Sequence, residues 1–164
     1  MTVSLGIENR TTGNGSLILP SDAPMDQHKV SRATDTLPAT ADEALFTITG
    51  GRVKLMQIVG EVTTVIQTQA NNTKLKFNPT ATGADTDLCA VLNISADAVG
   101  TLYGITGTVA DAMIDGLLQV KGQVATIILS EGDIELDCAA TNTGSVKWDV
   151  WYIPLDEGAT VTAV

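Results

Sequence analysis

Residues 145–154 read SVKWDVWYIP, and their alternation decides the fold. Val146, Trp148, Val150 and Tyr152 fall on one side of an extended chain, with Lys147, Asp149, Trp151 and Ile153 on the other. That is the period of a half-buried β-strand. Pro154 stops it, because proline brings no N–H to a ladder. Working outward, IELDCA (134–139) repeats the pattern, setting Ile134, Leu136 and Cys138 against Glu135 and Asp137. ALFTIT (44–49) runs to a Gly50-Gly51 turn signal, and RVKLMQIVGEVTTVIQTQ (52–69) follows, β-branched and interrupted by Gly60. A glycine there predicts a bulge, or a bend where one long strand passes between sheets. KLKFNP (74–79), Leu88 to Ile94 at period 2, TLYGITGTV (101–109) and ATIILSEG (125–132) complete about eight strands. The Leu88–Ile94 strand is expected to be covered on both faces. ADAMIDGLLQV (110–120) reads as one helical turn or a loop.

No amphipathic stretch is long enough for a βαβ crossover, so the expected fold is all-β. It is an antiparallel two-sheet sandwich, jelly-roll or related Greek-key, with an extended N-terminal arm. Composition agrees: Thr, Val and Ile supply 50 of 164 residues, and β-branched side chains suit a pleated surface. A chain of this length is one domain and buries enough surface to fold without staples. Residues 1–43 differ from the rest. They hold Pro20, Pro24 and Pro38 among many polar residues, with one short apolar cluster, Leu17-Ile18-Leu19. They read as the arm, expected to be mobile in a free monomer or laid along a partner, and residues 44–164 as the sandwich domain.

The formal net charge is −10, unevenly placed. Residues 1–76 carry seven Lys/Arg and seven Asp/Glu; residues 77–164 carry two and twelve. An acidic surface repels phosphate backbones and anionic lipid, so neither nucleic acid nor membrane is an expected partner. The split predicts an acidic C-terminal half facing solvent and a neutral half docking on a partner. No basic-then-apolar leader or membrane-length apolar run is present, which predicts assembly in the cytosol. In that reducing compartment Cys89 and Cys138 are expected as buried free thiols.

Residue chemistry argues against an enzyme. The single His28 lies in the arm, without the positioned neighbour that a general base or nucleophile needs. One His and two Cys 49 positions apart do not make a zinc site. Asp85, Asp87, Asn78 and Asp97 could surround Ca²⁺, although no loop has the full ligand spacing. No cofactor is expected. Six aromatic residues give little platform for sugar subsites. The surface candidates are interface residues instead: Leu17, Ile18 and Leu19 in the arm, Arg52 and Lys54 on one strand face, and Trp151 with Ile153 on the outer side of 145–154. Lys74 and Lys76 share a second basic face and Asp133, Glu135 and Asp137 an acidic one, to be paired within the sheet or between subunits.

Three stretches carry a resemblance: LFTITGGRVKLMQIVGEVTTVIQ (45–67), TDLCAVLNISADAVGTLYGITGTVADAM (86–113) and GSVKWDVWYIPLDEGATVTAV (144–164). They resemble a family of small virion structural proteins of tailed bacteriophages over about residues 44–164, leaving the arm outside. The resemblance implies a capsid decoration (cement) protein on the outer surface of the virion, assembled in the host cytoplasm. Its implied partners are the major capsid protein lattice and further copies of itself, a trimer being favoured by the local symmetry of capsid surfaces. It carries no functional residues over. The alternative reading is a tail-associated structural or carbohydrate-binding adhesive module.

Overall fold

The computed structural model describes residues 27–164, among which there is no helix. Twelve strands form two antiparallel sheets. The first runs in the order β1 (His28–Thr36), β11 (Ser145–Pro154), β3 (Val53–Thr64), β7 (Thr101–Gly104), β8 (Ile114–Leu117), with β9 (Ile127–Leu129) also on β3. The second runs β12 (Thr160–Ala163), β2 (Asp42–Thr49), β10 (Gly132–Cys138), β4 (Asn72–Pro79), β5 (Thr86–Asp87), with β6 (Leu92–Asn93) also on β4. The all-β, two-sheet, antiparallel expectation therefore holds.

The core lies between the sheets and is built by the alternating strands. Val146, Trp148, Val150 and Tyr152 of β11 are buried against Ile134, Leu136 and Cys138 of β10 and Leu75 and Phe77 of β4. Bulges adjust the phase. On β3, Trp151 faces Gln57 while Tyr152 faces Leu55, leaving Met56 as the extra residue. Leu55 and Ile58 can then both turn inward, three positions apart. A shift between Ile134 and Glu135 leaves Leu45 extra on β2, so adjacent Leu45 and Phe46 are both buried.

Gly60 does not mark a crossing between sheets, as β3 runs through it in one sheet. Its partner across the ladder is Trp148, and a Cβ at Gly60 would come within 2.8 Å of the indole ring. The glycine is required by close approach rather than by a bend. Leu88–Ile94 is not one strand. β5 ends before it at Asp87, the stretch itself holds only an isolated Ala90–Ala112 bridge and β6, and Val91 is exposed, so it is not covered on both faces. Residues 114–117, read as helical turn or loop, are the edge strand β8. Cys89 and Cys138 are buried free thiols that accept hydrogen bonds from Leu75 N–H and the Thr73 hydroxyl; burial raises both above an ordinary thiol.

The boundary of the arm also moves. Residues 28–36 are β1, paired with β11 from His28↔Tyr152 to Thr36↔Ser145, and β2 begins at Asp42. The stretch was hard to recognise because β1 is an edge strand whose one fully inward residue is charged, Arg32. Residues 1–26 of the expected arm, with Leu17, Ile18 and Leu19, lie outside the described residues.

Candidate assembly surface

The outer face of the second sheet is a carboxylate ladder. Asp133, Glu135 and Asp137 project from β10; opposite them on β4 stand Asn78, Lys76 and Lys74. Lys76 Nζ lies 2.6 Å from Asp42 and 3.0 Å from Asp85, and Lys74 Nζ 2.7 Å from Asp87. Asn78 donates to Glu135 at 3.0 Å and the Thr47 hydroxyl to Asp133 at 2.6 Å. The two lysines thus pair within the sheet. The Asp42 hydrogen bond holds the Lys76 ammonium well above its ordinary pKa, and Lys76 in turn lowers Asp42. Asp137 is raised, first by burial and then by nearby Asp42.

The proposed calcium group is not brought together. Asp85 and Asp87 are taken by lysines, and Asp97 accepts the Tyr103 hydroxyl at 2.5 Å, Tyr103 belonging to the other sheet. Asp42, Asp85 and Glu135 do converge with oxygens within 4.8 Å of one another. Lys76 supplies the positive charge there, bonding two of the three.

The outer face of the first sheet is different in kind. Lys29, Trp151 and Gln57 stand in one row across β1, β11 and β3, with Lys29 Nζ 5.0 Å from the Trp151 ring centre and 3.1 Å from Asp149. Ile153, Lys54 and Ile128 form the next outward row, and Lys147 pairs with Glu61 at 2.7 Å. On β1, β3 and β11 this face carries three lysines to two carboxylates. The strands of the other sheet carry five carboxylates on their outer face (Asp42, Asp87, Asp133, Glu135, Asp137) to two lysines, with Asp85 joining them from the loop before β5. Beyond Trp151 the chain after β8 folds over the same face: Val120 packs over Gly104, and Gln123 donates to the Leu55 carbonyl. Exposed apolar residues in and near this sheet are Leu117 on edge strand β8, Leu118 at 78% and Val124 at 87% exposure, and Ile128 on β9. Leu118 also has φ +61°, a left-handed conformation that costs a leucine energy.

The expected interface residues fare unequally. Trp151 is half-buried beside a recess of about 530 Å³ shared with Gln27, Met56, Gln57 and Gln123. Lys54 lies on the same face. Ile153 does too, but at 8% exposure it is covered within the monomer, flanked by the aliphatic stem of Lys54, and offers no docking area. Arg52 is exposed but committed: its Nε and Nη2 donate to Asp156 at 2.9 and 2.8 Å. His28 stacks on Tyr152 with ring centres 5.3 Å apart. Sequence reading missed the apolar edge at 114–124, where the two leucines and two valines are too irregularly spaced to register as a surface stripe.

The charge division is corrected as well. It does not follow the halves of the chain, because β4 from the first half sits beside β10 from the second, and β3 beside β11. Interleaving turns an asymmetry along the sequence into one between sheets. Compared with protein families, with curated proteins and with solved structures, the chain matches none.

Proposed function

We propose that the chain is a bacteriophage virion structural protein of the capsid decoration (cement) type, docking through the outer face of its first sheet. The observation that carries this reading is the contrast between the faces. One is a carboxylate ladder suited to solvent; the other is nearly balanced in charge and presents Trp151, Met56 and Ile128. Strand order supports a jelly roll, since early strands β1–β4 alternate with late strands β10 and β11 in both sheets. Binding partners are the major capsid protein lattice and two further copies of the chain in a trimer. Repetition over a shell makes weak contacts add to large avidity. Quantitative mass spectrometry of purified virions tests the reading: hundreds of copies per particle are expected, and a handful of copies, or none, would overturn it.

The recess at Trp151 favours one alternative, a carbohydrate-binding tail module, because an indole flanked by glutamine amides suits a sugar ring. Glycan-array binding abolished by Trp151→Ala would establish that alternative in place of decoration.

A further inference from the structure

The two long sides of the sandwich are closed differently. On one side β1 and β12 approach, and Arg32 Nε donates to the main-chain oxygen of Val164 at 3.1 Å. On the other, β9 pairs only with β3 and β5 only with β4 among the described residues, and a groove of about 730 Å³ runs between them. Phe77, Leu88 and Leu129 are its buried apolar floor; Val109 and Ile128, 54% and 62% exposed, form its lip. An unpaired strand edge beside an apolar trough is what strand addition requires. The edge offers main-chain hydrogen bonds and the trough takes alternate side chains.

We propose that the Leu17-Ile18-Leu19 stretch of the same chain docks in this groove, along the free edge of β9. His28, Tyr152, Leu55 and Ile127 stand in one row across β1, β11, β3 and β9. The described chain therefore begins three strand spacings from β9, and the groove edge is a fourth away, about 19 Å at ~4.8 Å per strand. Eight residues from Leu19 to Gln27 reach at most about 26 Å, and a flexible linker of that length averages roughly 16 Å. A linker matched to its span gives near-maximal effective concentration. In a strand register along that edge, alternate residues Leu17 and Leu19 would enter the trough, and Ile18 would face its Val109 lip. Val3, Leu5 and Ile7, the other branched aliphatic positions before Gln27, are 20 or more residues from it and lack this match. The inference does not depend on the virion reading.

Hydrogen exchange on the full chain, at a dilution where it is monomeric, tests it. Replacing Leu17, Ile18 and Leu19 together by Ser should speed exchange over residues 126–130 about tenfold, while the Val3, Leu5 and Ile7 triple to Ser leaves it unchanged. An Ile18→Cys, Val109→Cys chain should oxidise to a disulfide at monomer mass. Unchanged exchange in the first triple, equal acceleration in the second, or a disulfide formed only in dimers would each overturn the proposal.

Discussion

Arg32 of β1 and Glu43 of β2 join the two sheets across the edge of the core. Arg32 faces inward beside Trp148, its side chain 8% exposed; Glu43 stands opposite Leu136 on the other sheet. Arg32 also pairs with Asp35 at 3.1 Å and donates to the Val164 main-chain oxygen. A guanidinium has the planar, multiple donors that such a junction needs. Arg32→Met should cost about 1–3 kcal/mol by denaturant titration, below the usual loss for a buried pair because Glu43 is about one-third exposed. Adding Glu43→Leu should recover most of it, since the lone carboxylate is what the single variant leaves behind.

Gly60 and Trp148 make a second test. A Cβ at position 60 would sit 2.8 Å from the indole, so Gly60→Ala should destabilise by roughly 1–3 kcal/mol despite alanine's ordinary advantage over glycine in a strand. Combining it with Trp148→Leu should lose less than the two single changes together, a coupling that a double-mutant cycle in urea measures.

The Lys76 site gives a metal-dependent prediction. Lys76→Met leaves Asp42, Asp85 and Glu135 converging without their cation. The variant should melt at a lower temperature than the parent, and millimolar Ca²⁺ should raise its melting point while leaving the parent's unchanged. Equal calcium response in both chains would show that the parent already binds the ion.

Asp156 gives the pH dependence. Two side-chain bonds and a main-chain N–H from Arg52 hold its carboxyl well below the usual carboxylate range. A depressed folded value means stability that is present above the unfolded value of ~3.9 and lost as pH falls through the folded one. The parent should therefore exceed Asp156→Asn in stability at pH 7, with the gap closing as the pH falls below about 4 and shrinking in 1 M salt.

Much of the fold was legible where one face of a strand is apolar. β2, β4, β10 and β11 were found because Phe46, Leu75, Ile134 and Trp148 recur at the pleat period against charged neighbours. β1 escaped because its inward position is an arginine, recognisable only once Glu43 is seen across the sheets. β8 escaped because it is a four-residue edge strand with no buried residue, its single leucine, Leu117, being exposed, so its sequence has no buried side to reveal it. Alternation gave the outward direction of Trp151, Lys54 and Ile153, but not that Ile153 is buried within the chain or that Arg52 pairs with Asp156, since it gives a side chain's direction and not what packs or pairs with it. The charge asymmetry was visible as a number, and needed the interleaved strand order to become two faces.

Binding to undecorated capsid shells tests the central claim most directly. The proposed decoration role predicts that, in co-sedimentation with undecorated phage shells, Trp151→Glu with Ile128→Glu loses binding, while Asp133→Asn with Asp137→Asn keeps it at the parental level. Retained binding by the first pair, with loss by the second, would contradict the account and place the carboxylate ladder against the shell.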